Sequence, residues 1–366
     1  MKKSEHPEKS KYAETGVDSR GAENSLSGLL KHVLPTREFN PRYPTRIDIG
    51  YFANVVDFGN GVGVAFSTDG VGTKVIVAEL MDKYDTIGID CVAMNANDVL
   101  CVGARPVSMV DYIGCSFTDG RIFEALGKGL AEGARQAGIG ISGGEISQVR
   151  EIINGIDLIG ACIGHVHTDK INTGKNIRPG NLIVGLASTG VHSNGLTLAR
   201  RALLGNAREE QKAKARQFSP ELGRSFGDEL LEPTRIYVQA ALEMMDSRID
   251  LKALVHITSG GFCNLNRVEK DDIRFVIDSL PPIPAVFALI QEQGPVADPE
   301  MFEVFNMGTG FCVVVESPGE ADAVLAICRK HGIPSQVIGY VEACHGKEVT
   351  VPERNLVGRG QKFAPL

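Results

Sequence analysis

The sequence contains no tryptophan, and aromatic residues make up only 6% of its 366 positions. That scarcity argues against the stacked aromatic platforms on which single-stranded nucleic acids lie. Positive charge is in deficit too: 38 Lys and Arg against 45 Asp and Glu give a net charge of −7. Nucleic acids and anionic membranes are drawn by a basic field, so neither is expected as a partner. No apolar run approaches the ~18 residues of a membrane span. The first twenty residues, MKKSEHPEKSKYAETGVDSR, have no apolar core of the signal-peptide kind, and a cytoplasmic location is expected. The eight cysteines include no C-x-x-C pair and several sit in apolar, strand-like runs. Reduced, buried thiols are therefore expected rather than a disulfide framework or a zinc site.

Glycine, by contrast, is abundant, at 42 residues. Many glycines with few aromatics point to polar ligand sites lined by backbone. At ~150 residues per domain the length predicts two domains. Residues 1–20 read as a flexible arm, 21–170 as an N-terminal domain and 180–366 as a C-terminal one, with the Gly-, Pro- and Asn-rich stretch 167–181 between them. After the arm a short helix capped by Asn24 or Ser25 is expected to turn Leu26, Leu29 and Leu30 inward. Alternating α and β signals follow. The spacing predicts strands at 62–68, 106–114, 138–142 and 156–166 and helices over 85–104 and 118–138, the latter capped by Thr118 or Asp119. In the second half, strands are expected at 181–188, 311–316 and 336–341, and helices near 196, 206–217, 235–246, 284–293 and 318–331.

Several segments concentrate chemistry. STDGVGTK (67–74) joins Asp69, Gly70, Gly72, Thr73 and Lys74 behind a strand. Its glycines would let backbone N–H groups reach a phosphate, Lys74 would neutralise it, and Asp69 would hold Mg²⁺; a plain hairpin turn is the alternative. Asn97-Asp98 falls in an otherwise apolar helix, which is costly unless the pair is hydrogen-bonded, cation-bound or a helix-end cap. Asp111 carries the same ambiguity. Gly143-Gly144-Glu145, after a strand, fits either a ligand-facing turn or a surface turn. STGVHSNG (188–195) offers a backbone cradle before a helix, with His192, Ser193 and Asn194 able to contact a substrate or move protons. HITSGGF (256–262) has a similar make-up around His256, Gly260 and Gly261. Together these predict an ATP-dependent enzyme with a nucleotide site in one half and a second polar ligand in the other.

Taken in order, STDGVGTK, DTIGIDCVAMNANDVLCVGARPVSMVDY, SGGE, STGVHSNGLTLARR, EPTRIYVQ, HITSGGF and FNMGTGF resemble the aminoimidazole ribonucleotide synthetase (phosphoribosylformylglycinamidine cyclo-ligase) family, from about Tyr12 to about Val351. The chain departs from the family's pattern in NPRYPTRIDIGYF (40–52), in ISQVREI (146–152) and at Ser259. The resemblance implies a two-domain α/β (α+β) fold whose N-terminal domains pair into a dimeric barrel. It implies ATP with Mg²⁺, a small ribonucleotide substrate and a homodimer. It further implies an ATP–Mg²⁺ side of Lys31, Asp69, Gly70, Gly72, Thr73, Lys74, Asn97, Asp98 and Glu145, with Asp69 and Asp98 on the metal. On the substrate side it places His192, Ser193, Asn194, Gly260 and Gly261. Catalysis would fall to His192, His256, Lys74 and Asp98. Other ATP-dependent enzymes of the same superfamily, such as a thiamine-monophosphate kinase, or a non-catalytic nucleotide-binding relative, are the competing readings.

Overall fold

A computed structural model describes residues 10–16 and 19–366. Residues 1–9 and Val17-Asp18 of the expected arm lie outside the described residues. Two short helices open the chain, α1 (Lys11–Glu14) and α2 (Ser19–Val33). The first half then forms β1 (Asn54–Asp57), β2 (Val62–Gly70), α3 (Lys74–Met81), α4 (Ile87–Cys101), β3 (Arg105–Cys115), α5 (Gly120–Ala137), β4 (Gly140–Gln148) and β5 (Ile156–His167). Its strands make one sheet in the order β1-β2-β5-β3-β4. Only the β3–β4 pair is parallel, because α5 carries the chain back across the sheet before β4 begins. Asp119 caps α5, accepting from the Arg121 N–H at 2.9 Å.

α4 decides how the halves meet. It lies against β2 and β5, with α5 beside it and the second half of the chain on its remaining side. Every residue of α4 except Ile89 is buried. A helix covered all round must be apolar all round or must satisfy each polar group it carries. α4 and α5 approach closely because glycines face each other: a Cβ on Gly129 would stand 2.4 Å from the Asp85 carbonyl oxygen, and one on Gly88 2.3 Å from the Leu130 nitrogen.

The second half builds an eight-stranded sheet in the order β15-β14-β13-β10-β12-β6-β11-β9. These strands are β6 (Leu182–Ala187), β9 (Ala253–His256), β10 (Ile273–Ile277), β11 (Thr309–Val315), β12 (Ser335–Ala343), β13 (Lys347–Val351), β14 (Leu356–Arg359) and β15 (Lys362–Pro365); β7 (Phe218–Ser219) and β8 (Arg224–Ser225) form a separate ribbon. All of β11 is buried, which accounts for the unbroken apolar run FCVVV. α6 (Leu196–Leu204) follows β6 across the loop 188–195.

Two expectations change and one alternative drops out. α2 starts at Ser19, ahead of the expected caps Asn24 and Ser25, and Leu26 and Leu29 are 48% and 60% exposed. Among the described residues α2 packs mainly on the helical turn Leu34–Glu38, which leaves Leu26 and Leu29 uncovered. Gly143-Gly144-Glu145 forms no turn after a strand. β4 runs through it, and Gly144 is needed because a Cβ there would lie 2.5 Å from Asp111 Oδ1 on β3. STDGVGTK is a strand-to-helix turn rather than a hairpin: β2 ends at Gly70, Gly72 has a φ of +64°, and α3 begins at Lys74. At the other end of the chain, the backbone N–H groups of Lys11 and Tyr12 donate to the Glu300 carboxylate at 3.1 and 2.6 Å, seating α1 on the second half.

Glycine chemistry on α5 supplies a test with two signs. Gly127 is exposed and a Cβ there meets nothing within 4 Å. Gly127→Ala should therefore stabilise the fold by ~0.5–1 kcal/mol through helix propensity. Gly129→Ala, two positions on in the same helix, should destabilise it by ~1–3 kcal/mol through overpacking. Urea unfolding of both variants is the measurement, and shifts of the same sign would contradict the α4–α5 contact.

Candidate functional site

The polar residues of α4 hold loops from both halves. Asp90, fully buried, concentrates four donors on Oδ1: Lys74 Nζ at 2.9 Å, Ser193 Oγ at 3.0 Å, and the Thr234 N–H and hydroxyl at 2.7 and 2.6 Å. Lys74 also donates to the Glu232 carbonyl at 2.6 Å. Lys74 comes from the first half, and Ser193, Glu232 and Thr234 from the second. One carboxylate oxygen therefore ties the halves together.

This corrects the expectation for Lys74. It is fully buried, with its ammonium committed to Asp90 and Glu232, and does not line the glycine turn as a phosphate ligand. At the first position of α3 its side chain runs inward beneath the turn. Asn97 is likewise committed. Its Oδ1 accepts from the Tyr237 N–H at 3.0 Å and its Nδ2 donates to the Arg235 carbonyl at 2.9 Å, so it clamps the segment Arg235–Tyr237 rather than reaching for ATP.

Asp69 stands at the end of β2. Asn95 accepts from its N–H at 2.9 Å and donates to its carbonyl at 3.1 Å, gripping its backbone much as a neighbouring strand would. Burial and the nearby charge of Asp98 push the Asp69 carboxyl up to about 6, against a partial pull from the Gly70 N–H, His256 and Arg267. Asp98 in turn accepts from His256 Nδ1 at 2.8 Å. Asn97 Nδ2, which only donates, lies 3.4 Å from His256 Nε2, so the partners assign His256 the tautomer with its proton on Nδ1. The half-buried Asp69 and the buried Asp98 and His256 thus form one polar cluster at the contact between β2, α4 and β9.

The second glycine loop reaches the first. Thr73 Oγ1 lies 2.8 Å from Thr197 Oγ1 in the first turn of α6, so the turn 70–73 faces the α6 N-terminus across the boundary between the halves. His192 sits in the loop that precedes α6, with a left-handed φ of +65° and only 1% exposure. Its Nε2 accepts from the Thr189 and Arg235 N–H groups at 3.1 and 3.4 Å, while its buried Nδ1 meets no partner. Burial above all, with the nearby positive charges of Lys74 and Arg235, holds it well below the usual histidine range. A neutral ring with its lone pair already bonded cannot take a proton at Nε2. What it offers a ligand is the Nδ1–H donor. Asn194 makes only a long 3.9 Å contact with Met94 Sδ.

Other expected site residues fall elsewhere. Lys31 is exposed on α2, outside this cluster. Glu145 is exposed on β4, opposite Tyr112, which itself pairs with Ile159 on the sheet face turned away from α4. Gly261, with a φ of +52°, answers to packing: a Cβ there would stand 1.9 Å from the Phe302 carbonyl oxygen. Gly260 answers to its backbone, with a φ of +103°; the nearest atom a Cβ would meet is the movable amide of exposed Gln361. Arg267 was not foreseen. Its guanidinium lies 4.9 Å from the Phe52 ring centroid and its charge is felt at Asp69, while its buried Nε has no partner. No motif in the sequence marks it. Asp90 was missed as well, since in DTIGID it reads as an ordinary acid in a helix's first turn.

Removing one member of a buried ion pair leaves a bare charge, at a cost of ~3–5 kcal/mol. Lys74→Met should therefore lower the unfolding free energy by about that much without any nucleotide present, and Lys74→Met/Asp90→Leu should recover part of it. Unchanged stability of Lys74→Met would show that the lysine is free to serve a ligand.

The family model described as AIR synthase related protein, N-terminal domain, matches residues 50–166, and that described as AIR synthase related protein, C-terminal domain, matches residues 178–352. The phosphoribosylformylglycinamidine cyclo-ligase of Methanothermobacter thermautotrophicus is 43% identical over 347 residues, spanning 92% of this chain and 98% of its own length. That of Pyrococcus furiosus is 44% identical over 319 residues, spanning 87% and 91%. Among solved structures, AaThiL complexed with AMPPCP and TMP aligns with a TM-score of 0.62 at 16% identity over 92% of this chain and 96% of that one. Thermotoga maritima PurL complexed with ATP gives 0.55 at 20% identity over 90% of this chain but only 48% of that one, so this chain spans about half the length of PurL. These two structural likenesses show the fold. The matched domains and the identity across nearly the whole length establish that the chain belongs to the AIR synthase related family, alongside the phosphoribosylformylglycinamidine cyclo-ligases.

Proposed function

We propose that this chain is an ATP-dependent cyclo-ligase that closes formylglycinamidine ribonucleotide to aminoimidazole ribonucleotide, releasing ADP and phosphate, in purine biosynthesis in the cytoplasm. The observation that carries the reading is the meeting of the two glycine loops at Thr73 and Thr197, beside the Asp69–Asp98 carboxylates. Within the turn the Gly70 N–H is spent on Asp69 Oδ1 and the Val71 N–H on the Leu158 carbonyl, so the N–H groups of Gly72 and Thr73, with those of the α6 N-terminus across from them, are the ones that suit a triphosphate. The reaction transfers the γ-phosphoryl group to the formyl amide oxygen. The amidine nitrogen then attacks that carbon, and phosphate departs in place of a much poorer oxide leaving group. Arg267 supplies positive charge near the carboxylates, His192 presents Nδ1–H to the substrate, and the Asp98-oriented His256 contacts it or moves a proton. Ser193, bonded to Asp90, holds the loop that faces the substrate, and Asn194 keeps its amide for the substrate.

Magnesium fits the donor set. Two neighbouring carboxylates, one with its pKa raised partly by the other's charge, are the environment a divalent cation relieves, and Mg²⁺ commonly uses one or two carboxylates plus phosphates. Asp69 and Asp98 would hold it, and when bound it would neutralise charge on the phosphates. Among the described residues no group of three His, Cys, Asp or Glu side chains could hold a metal, in keeping with a cation completed by the nucleotide.

A homodimer belongs to this reading. The sheet face of the first half away from α4 leaves Val62, Phe66, Val110 and Ile163 between 39% and 46% exposed, and Phe66 and Ile163 are cross-strand partners. Such a patch on a sheet face marks an interface. A second copy placed there would cover these side chains, and Glu145 would stand on the face it meets.

Assay of the purified protein with formylglycinamidine ribonucleotide and ATP tests the reading, with aminoimidazole ribonucleotide as the expected product; ATP binding without that product would contradict it. Asp69→Asn should abolish turnover and yet raise stability. The raised carboxyl pKa means the folded state holds this proton more tightly than the unfolded chain does, so the favourable contribution exists at low pH and is lost as pH rises through about 6. At pH 7.5 the asparagine variant should gain ~1–2 kcal/mol in thermal or urea unfolding, discounted for the water that still reaches the group. Magnesium–nucleotide affinity of the unaltered protein should fall as pH is lowered through about 6, where Asp69 takes up its proton. Phe66→Lys should turn the dimer into monomers by light scattering, and an unchanged mass would place the interface elsewhere.

A further inference from the structure

The motif EPTRIYVQ (232–239) has so far only a scaffolding part: Thr234 bonds Asp90, and the Arg235 backbone bonds His192 and Asn97. The Arg235 side chain takes no part in any of this. It lines a cavity of about 350 Å³ between the two halves, together with Ile89, Gln136, Thr189, Gln239 and Ile333. That volume falls within the ~300–1,000 Å³ of small-molecule sites. Ile89 and Asp98 are nine residues apart on α4. At ~1.5 Å per residue the cavity therefore opens roughly 13 Å along the helix from the Asp69–Asp98 carboxylates, behind the segment that holds His192.

The lining is specific in what it leaves unused. Glu232, also at the cavity, is ion-paired with Arg224 at 2.5 Å, and His331 with Glu243 at 2.8 Å. Arg235 has no carboxylate partner among the described residues, and its buried Nε has no acceptor. An arginine fork left in this state favours a planar or tetrahedral oxyanion. Each of the two glutamines spends one of its two N–H donors inside the protein, Gln136 on Glu132 at 2.9 Å and Gln239 on the Ala137 carbonyl at 3.0 Å. Their amide oxygens remain as acceptors for hydroxyl groups. Ile89 and Ile333 supply an apolar wall.

We propose that this cavity is an auxiliary binding site for a small sugar phosphate, with the phosphate on Arg235 and the hydroxyls on Gln136 and Gln239. Its occupant touches the side chain of the residue whose N–H group bonds His192, so binding bears on the same loop that the active site uses.

The test titrates the full-length protein with ribose 5-phosphate by calorimetry, in the presence of a saturating non-hydrolysable ATP analogue that fills the turn 70–73. One equivalent should bind, with inorganic phosphate competing more weakly. Arg235→Gln should weaken binding at least tenfold, and Gln136→Trp, which fills the cavity from the surface of α5 without altering Arg235, should do the same. The second variant carries the test if the first does not fold. Asp69→Asn should leave the binding unchanged, which separates this site from the proposed catalytic one. Absence of binding, or binding that survives Arg235→Gln or Gln136→Trp, would overturn the proposal.

Discussion

One carboxylate oxygen, Asp90 Oδ1, organises this molecule. Buried charge is costly unless it is paired and hydrogen-bonded. Here a single acceptor gathers an ammonium from the first half and two hydroxyls and an N–H group from the second. Each donor belongs to a segment with a further task. Lys74 begins the helix after the first glycine turn, Ser193 neighbours His192, and Thr234 precedes Arg235. Fixing these segments on one atom brings chemically unrelated loops into register before any ligand arrives, which is the preorganisation that phosphoryl transfer requires.

The remaining polar residues of α4 repeat the device. Asn95 takes the backbone of Asp69, Asn97 takes the backbone around Arg235, and Asp98 takes His256. The two halves thus touch through an apolar helix whose few polar side chains are nearly all spoken for. The exception is Asp90 Oδ2, buried without a partner. Against this rigid centre, the groups with capacity to spare stand out: the Asp69 carboxylate, which accepts from the Gly70 N–H, His192 Nδ1 and the Arg267 guanidinium over Phe52 on one side, and Arg235 on the other.

Most elements were legible from periodicity, because amphipathic α5 and the apolar run of β11 carry patterns that few other structures produce. The two glycine loops were legible as connections between a strand and a helix, since the apolar runs on either side of them mark where each element stops. Lys74 was misread for a physical reason. The position after a glycine turn suits a phosphate ligand, and nothing local reveals a carboxylate sixteen residues on, beneath the turn. Leu26 and Leu29 were misread because periodicity shows that a helix has an apolar side but not whether its own chain covers that side. Asp90 and Arg267 act only through contacts distant in sequence, and no short motif encodes those.

The central claim is that a magnesium-bound triphosphate lies between the turn 70–73 and the α6 N-terminus, with Asp69 and Asp98 on the metal. A crystal structure with a non-hydrolysable ATP analogue and Mg²⁺ tests it most directly. The account predicts phosphate density against the N–H groups of Gly72, Thr73 and the first turn of α6, with Lys74 still bonded to Asp90. A nucleotide bound elsewhere, or a Lys74 swung out onto the phosphates, would contradict it.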